Sequence, residues 1–392
     1  MKVITKSIWI LSLVSLFTDV ASEMLYPILP LYLKSIGFSV LLIGFLEGVA
    51  EAVSGLSKGY FGKLSDTNAK RVPFVQWGYL FSALSKPMMG IFSNPAWVFS
   101  ARTLDRFGKG LRTGARDALL SEEATPETKG AVFGFHRSMD TLGAVIGPFL
   151  ALCFLHFYPE RYVLLFYIAL FPGLAAVIAS RFLKEKEKPP SPQKADFFGF
   201  VGYWKKSPIA YRRLAAGLLV FGVINSSDVF LLMFAKSRGL EDTEVIWMYI
   251  LYNLTYALAS FPVGILSDRF GLKRVLATGL FLFSGVYFGM AFATNRETFY
   301  ALFILYGFYS ATTEGISKAL ITNITDPSDA ATAIGSFAGW NSIASLLASS
   351  IAGVVWFSLG PKTLFLSSAG VCLAVVVYLS VLKLERKEAV LR

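Results

Sequence analysis

Charged residues are scarce in this chain: Asp, Glu, Lys and Arg make up 16% of its 392 residues, while 55% are hydrophobic. A soluble chain of this length needs more polar surface than that to cover its core, so the composition argues against a soluble protein. The apolar runs are each about 20 residues long, which is the span of a bilayer core. We therefore expect a membrane protein embedded in a lipid bilayer.

Histidine and cysteine are almost absent, with two residues of each. Cys153 and Cys372 lie inside apolar runs, where cysteine behaves as a small hydrophobic residue. The two histidines form no H-E-x-x-H or other paired metal motif, and the sequence has no glycine-rich phosphate loop. We therefore expect no metal site, no cofactor and no ATP-driven pump, and a membrane-embedded enzyme is the least favoured class.

The net charge of +11 would suggest nucleic acid as the partner of a soluble protein. In a membrane protein, Lys and Arg concentrated in cytoplasmic loops give a simpler explanation, so we expect no nucleic-acid partner. The first 22 residues resemble a secretion signal. Asp19 interrupts their apolar stretch, however, and the stretch continues to Leu33, so we expect it to remain as the first membrane helix.

The apolar runs predict an all-α membrane protein of twelve transmembrane helices. The predicted spans are 8–33, 38–62, 72–93, 95–116, 130–156, 162–182, 213–235, 244–267, 274–293, 297–320, 329–357 and 361–383. A polar linker rich in Lys, Glu and Pro at 184–212 is expected to be flexible and solvated. It divides the chain into two six-helix bundles, 1–183 and 213–392.

The Lys and Arg residues outside these spans are strongly biased to one side of the membrane. Placing both termini in the cytoplasm puts most of these bases on the cytoplasmic side, as the positive-inside rule requires. We expect a multi-pass protein of a bacterial inner (plasma) membrane.

The two halves of the sequence repeat each other. The segment Gly62–Asp66 is matched by Gly264–Asp268, each at the cytoplasmic end of the second predicted helix of its half. Farther on, Ala118, Pro126 and Gly134 recur as Ala319, Pro327 and Gly335, at a constant spacing of 201 residues. Two parallel six-helix repeats are a known plan of secondary transporters.

With these residues the chain resembles the major facilitator superfamily. The family's loop signature is nearly complete in the second half, and the first copy has Thr67 and Ala69 where the family has Arg and Gly. The resemblance implies a transporter, usually monomeric, that works by alternating access. It also implies a cytoplasmic gate that holds the outward-open state, with Asp66 and Asp268 as its acids and a weaker first-half part. The predicted gate residues are Gly62, Asp66, Arg71, Gly264, Asp268, Arg269, Lys273 and Arg274.

A second motif lies on the fifth predicted helix. Gly143, Gly147 and Pro148 resemble the G-x-x-x-G-P element of proton-coupled exporters, although Leu150 and Ala151 replace its trailing glycines. The resemblance implies export. The alternative is close packing of helices by small residues.

Charged residues inside the predicted helices are costly in lipid, so they must pair or face a wet cavity. On the fourth helix the charges recur at helical spacing along one face, and on the first helix Asp19 and Glu23 are four residues apart. We predict a charge network in the first half that couples transport to protons, the alternative being static ion pairs. Its candidate members are Asp19, Glu23, Glu51, Arg102, Asp105, Arg106, Lys109, Arg137 and Asp140.

The second half has fewer charges and more aromatic residues. A substrate wall is one interpretation of this pattern, and ordinary packing is the other. The candidate substrate-cavity residues are Asp228, Asn253, Tyr256, Glu314, Lys318, Trp340 and Asn341.

Two hypotheses for the transported solute stay open on the sequence. The first is proton-coupled export of a small organic molecule such as a drug or metabolite, with protons as the coupling ion. The second is uptake or exchange of an organic anion such as a carboxylate or an iron chelate, which the dense bases of the fourth helix favour.

Overall fold

The structure is a computed structural model that describes residues 3–26, 28–185 and 199–384. Most of the predicted linker (186–198), Pro27 and both chain ends (1–2 and 385–392) lie outside the described residues. Within those ranges the chain is helical and contains no β-strand. The helices are α1 (Lys6–Glu23), α2 (Leu29–Ser35), α3 (Val40–Thr67), α4 (Val72–Ile91), α5 (Pro95–Glu123), α6 (Lys129–Phe157), α7 (Tyr162–Ile168), α8 (Leu170–Ser180), α9 (Gly199–Lys206), α10 (Ile209–Ile224), α11 (Val229–Ser237), α12 (Asp242–Phe270), α13 (Leu272–Phe292), α14 (Arg296–Asn323), α15 (Ala330–Leu359) and α16 (Pro361–Val381), with a 3₁₀ turn at Pro327–Asp329 before α15.

Three of the twelve predicted helices are interrupted, which the sequence prediction missed. The predicted helices 8–33, 162–182 and 213–235 are formed by the pairs α1 and α2, α7 and α8, and α10 and α11. The α10–α11 break contains Asn-Ser-Ser-Asp, whose side chains compete with helical hydrogen bonds. Pro172 in α8 has no N–H to offer the carbonyl of Ile168, where α7 ends.

The interruptions follow the repeat. The break between α1 and α2 begins at Met24, and the break between α10 and α11 begins at Asn225, 201 residues later. We call α1–α8 the first half and α10–α16 the second half. The linker prediction was partly wrong, because α9 and the start of α10 both fall within 184–212.

Seven helical segments of the described ranges are long and apolar enough to cross a membrane. The long helices α1, α3, α4, α5 and α14 are not among them, and α1, α3, α5 and α14 carry most of the charges that interrupt the predicted spans. The low hydropathy of these four helices therefore reflects the charge network, since a side chain that faces a wet cavity need not be apolar.

The halves pack tightly at one end, which we call the motif end because it holds the α3–α4 and α12–α13 loops. A Cβ atom at Gly62 would lie 2.5 Å from the backbone oxygen of Ala331 in α15, and a Cβ at Gly264 would collide with the backbone of Gly130 in α6. Only glycine allows backbones to approach this closely. The two contacts are related by the repeat, and both join helices of opposite halves.

Candidate transport cavity

A cavity of about 360 Å³ lies between the two halves. The charged residues of its first-half wall are Asp19, Glu51, Lys58, Lys109, Arg112, Arg116, Arg137 and Asp140. The second-half wall combines polar side chains with an apolar set, whose members include Leu218, Phe221, Leu276, Leu280, Ile334 and Phe337. A charged wall that faces a wall with apolar side chains suits a small organic solute with a polar group at one end.

Two ion pairs join the halves at this cavity. Lys318 Nζ in α14 lies 2.7 Å from Asp117 Oδ2 in α5, and Asp117 is fully buried. Arg137 in α6 contacts Asp140 at 2.7 Å and Glu314 of α14 at 3.1 Å. The second pair therefore links an acid of each half through one guanidinium group.

Arg116 connects this network to α1. Its guanidinium lies 2.9 Å from Asp117 and donates a hydrogen bond to the Ser15 hydroxyl at 3.2 Å. The same hydroxyl donates to Asp140 in a short hydrogen bond. The buried Asp140 is thereby held by Arg137 and Ser15 together.

A smaller cavity of about 40 Å³ lies beside the first, and Asp19, Lys109 and Arg112 line both. Its other charged residues are Glu23, Lys86, Arg102, Asp105 and Arg106.

Three of the charged residues around the smaller cavity, Lys86, Arg102 and Asp105, are paired. Arg102 donates two hydrogen bonds of 2.8 Å to the Glu47 carboxylate, and its guanidinium also lies 3.4 Å from Asp105. Asp105 accepts a hydrogen bond from the Ser82 hydroxyl at 2.7 Å and lies 3.4 Å from Lys86 Nζ.

Two acids and three bases of the cavities stand apart from these pairs. Among the described residues, neither Asp19 nor Glu23 has a base within 4.0 Å, and no carboxylate lies that close to Arg106, Lys109 or Arg112. Unpaired charges inside a membrane protein are costly, so they mark a functional-site candidate.

The second-half candidates divide into two groups. Glu314, Lys318 and Asn341 line the larger cavity. The others lie outside the walls of both cavities: Asp228 accepts a hydrogen bond from the Tyr306 hydroxyl at 2.7 Å, Asn253 donates to the Tyr249 carbonyl in its own helix, and Tyr256 and Trp340 pack among other side chains.

Sequence reasoning left six residues of the charge network out of the candidate set: Glu47, Lys58, Lys86, Arg112, Arg116 and Asp117. Arg116 is the last residue of the predicted span 95–116, whereas α5 continues to Glu123. The signal for Asp117 was present in the repeat, since Lys318 follows it by 201 residues.

At the motif end, Asp66 caps a helix of the opposite half. Its Oδ2 accepts hydrogen bonds from the backbone N–H and the hydroxyl of Thr332, at 2.7 and 2.8 Å, in the first turn of α15. A carboxylate there satisfies free N–H groups and favours the positive end of the helix dipole. Arg71 holds Asp66 at 2.6 Å and also pairs with Glu122.

Asp268 makes the equivalent contact in the second copy. Its two oxygens accept hydrogen bonds from the backbone N–H groups of Gly130 and Ala131, each at 2.7 Å, at the start of α6. Lys273 instead donates to backbone carbonyls at the end of α16, and both Arg269 and Arg274 are exposed. Among the described residues, the first copy of the loop signature therefore has the more extensive ion pairing. Its departures from the signature at Thr67 and Ala69 had suggested the weaker part of the gate.

Gly143 and Gly147 lie against α1. A Cβ at Gly143 would be 2.6 Å from the Leu16 carbonyl oxygen, and one at Gly147 would be 2.7 Å from the Val20 carbonyl oxygen. Pro148 follows within α6. The motif therefore brings α6 close to the helix that carries Asp19, which agrees with the packing interpretation.

Comparisons with known proteins agree with this fold. The family model of the Major Facilitator Superfamily matches residues 11–241 and 214–391. An uncharacterized MFS-type transporter of Methanocaldococcus jannaschii is 34% identical over 369 residues, which cover 93% of this chain and 91% of the relative. The chain belongs to the major facilitator superfamily of membrane transporters.

Two more distant proteins are similar to this chain. A multi-drug resistance efflux pump PmrA homolog of Lactococcus lactis is 23% identical over 322 residues, which cover 79% of this chain and 78% of that protein. The crystal structure of the major facilitator superfamily transporter FucP, in the outward conformation, superposes with a TM-score of 0.82 at 14% identity and covers 97% of this chain and 99% of FucP. The likeness to FucP confirms the all-helical transporter fold.

Proposed function

We propose that this chain is a proton-coupled secondary transporter that moves a small organic solute by alternating access, with export in exchange for protons as the first candidate. This proposal rests mainly on the surroundings of the Asp19 and Glu23 carboxylates. Both acids line a cavity, and neither has a base within 4.0 Å among the described residues. A carboxylate that is not held by a base can gain and lose a proton at a smaller cost than a paired one.

The paired charges have a different role in this proposal. The contacts of Asp117 with Lys318 and of Arg137 with Glu314 both cross between the halves. A movement that separates the halves at the cavity breaks both contacts and exposes their charges to the cavity. Such a movement changes the field at Asp19 and Glu23, because electrostatic interactions inside a protein are only weakly screened. Proton binding and the movement are thereby linked.

The closed motif end supports an assignment of the conformation. If this end faces the cytoplasm, as the distribution of bases favours, the structure is an outward-facing state held by the Asp66 and Asp268 caps. We place the protein in the inner membrane with cytoplasmic termini, acting as a monomer.

Export as the direction is supported by two observations. The similar Lactococcus lactis protein bears the name of an efflux pump. The Gly143, Gly147 and Pro148 element resembles that of proton-coupled exporters. Organic-anion transport is the second candidate, and the unpaired bases of α5 favour it.

Dye accumulation in a bacterial host that lacks its own efflux pumps tests the export proposal. Cells that produce the wild-type chain should hold less of an anionic dye such as fluorescein than cells that produce Asp19→Asn, and a protonophore should abolish the difference. Membrane content of both variants is compared by immunoblot as a control. Equal accumulation of the dye in the two strains at equal protein content argues against export, and a difference that survives the protonophore argues against proton coupling.

A further inference from the structure

The bases of α5 that have no acidic partner are concentrated in one place. Arg106, Lys109 and Arg112 occupy successive turns of α5, all three line the smaller cavity, and Lys109 and Arg112 also line the larger one. The other bases of α5 in this region, Arg102 and Arg116, are both held by carboxylates. The three form a continuous basic face, which we call the basic triplet.

The triplet retains unused hydrogen-bond donors. Arg112 is only 4% exposed, and its position is fixed by a hydrogen bond to the Ser82 hydroxyl at 3.1 Å and by the Tyr79 ring, whose centroid lies 4.5 Å from the guanidinium carbon. The Nε atoms of Arg106 and Arg112 are buried and have no hydrogen-bond partner among the described residues. A buried guanidinium N–H without an acceptor is costly, and an oxyanion supplies the acceptor that it lacks.

We infer that the basic triplet is the binding site for the oxyanion group of an organic anion, with a carboxylate, sulfonate or phosphate as its head. The apolar residues of the second-half wall, such as Phe221 and Phe337, then receive the rest of the molecule. The cavity volume of about 360 Å³ is at the lower end of the range for small-molecule pockets, so the substrate is a compact molecule.

This inference rests on the proposed transport function and gives its substrate class. It also changes the form of coupling. Ionised Asp19 and Glu23 repel an anion in the same cavity, whereas their protonated forms do not. The anion and the protons therefore bind together, so for an anionic substrate co-transport replaces exchange.

The charges around these two acids come from every helix that borders them. They are Glu51 and Lys58 on α3, Lys86 on α4, Arg102, Asp105, Arg106, Lys109, Arg112 and Arg116 on α5, His136, Arg137 and Asp140 on α6, and Glu314 and Lys318 on α14. The acids other than Asp19 and Glu23 all have a base within 4.0 Å, Glu51 being 4.0 Å from Lys58, so the main electrostatic opponents of a bound anion are Asp19 and Glu23. We expect anion affinity to rise as the pH falls.

Isothermal titration calorimetry on the purified full chain in detergent tests the inference without requiring transport. The probes are benzoate and benzenesulfonate, with neutral benzamide and cationic benzylamine as matched compounds. The two anions should bind, the other two should not, and Arg106→Gln should weaken anion binding by about tenfold or more through the loss of charge-assisted hydrogen bonds.

Three controls keep the result interpretable. Arg106→Lys keeps the charge and should lose less affinity than Arg106→Gln. Lys34→Gln removes an exposed base of α2 that lines neither cavity, and it should bind as wild type does. A variant is used only if it elutes as a single peak in gel filtration.

Several outcomes would overturn the inference. Equal binding of benzamide and benzoate, unchanged affinity in Arg106→Gln, or no binding of either anion at millimolar concentration each contradicts it. Lipid headgroups share the oxyanion chemistry, so phosphatidylglycerol is titrated in a second arm, and binding of this lipid without binding of the soluble anions also contradicts the substrate assignment. If the anions bind but a pH gradient drives no flux in proteoliposomes, the proposed transport function fails while the anion site stands.

Discussion

Asp117 and Lys318 occupy equivalent positions of the two repeats, and their side chains meet. Asp117 Oδ2 lies 2.7 Å from Lys318 Nζ, and the two residues are 201 positions apart, which is the spacing of the repeat. Two equivalent residues can touch only where the two halves come together. The pair therefore marks the contact between α5 and α14, and an acid in one repeat is neutralised by a base in the other.

Removing either partner should destabilise the protein unequally. Lys318→Met leaves Asp117 with Arg116 as a partner at 2.9 Å, whereas Asp117→Asn leaves Lys318 without its acid and Arg116 with only Asp140, at 4.0 Å. Breaking a buried pair costs about 3–5 kcal/mol, so we expect Asp117→Asn to approach that loss and Lys318→Met to cost less. Thermal unfolding in detergent, followed by tryptophan fluorescence, measures both. The order is wrong if Lys318→Met is the less stable variant.

The close approach of α3 and α15 at Gly62 should be sensitive to a single methyl group. Gly62→Ala places a Cβ 2.5 Å from the Ala331 carbonyl oxygen, which forces the helices apart at the motif end at a cost of about 1–3 kcal/mol. Gly48→Ala, on the same helix and in open space, should be neutral or stabilising by up to about 1 kcal/mol.

The effect of Gly62→Ala can be measured as the rate at which a thiol reagent reaches the motif end. A cysteine introduced at Ala331 in a Cys153→Ser, Cys372→Ser background should react faster with a thiol reagent when Gly62→Ala is present than when Gly48→Ala is present. Equal labelling rates would show that the glycine contact does not hold this end closed.

The two loop copies differ in backbone strain. Ala69 has φ of +52°, in the left-handed region, whereas the corresponding residue of the second copy is Gly271, with φ of +96°. A residue with a Cβ pays about 1–2 kcal/mol in this region, and glycine offsets part of the gain through its freedom in the unfolded chain. Ala69→Gly should therefore raise the melting temperature slightly or leave it unchanged, and Gly271→Ala should lower it. A lower melting temperature for Ala69→Gly would contradict the strain at this position.

The sequence predicted much of the fold for identifiable physical reasons. The apolar runs predicted twelve membrane segments because the thickness of a bilayer fixes their length. The match of Gly62–Asp66 with Gly264–Asp268 indicated the resemblance to the major facilitator superfamily. The interruption at Asn225 was missed because four polar residues in an apolar run leave the hydropathy pattern nearly intact, although their side chains disrupt the backbone hydrogen bonds.

The sequence predicted which charged residues of α5 belong to the candidate site, but not which of them are paired. Helical spacing located the charges of α5 on one face, but it could not show that Arg102 and Arg116 are paired while Arg106 is not, because their partners Glu47 and Asp117 are set by tertiary packing. Tyr256 and Trp340 were predicted to line the substrate cavity, but they lie outside the walls of both cavities. Aromatic residues at helical spacing look alike whether they line a cavity or pack against other helices.

Proton exchange with the buffer on addition of a ligand tests the central claim most directly. Purified wild-type chain and Asp19→Asn are placed in weakly buffered detergent solution with a pH indicator, and benzoate is added to each. The account predicts proton uptake by the wild type, because the anion and the protons bind together, and a smaller uptake by Asp19→Asn. Anion binding that moves no protons in the wild type, or equal uptake in both proteins, would contradict a coupling role for Asp19.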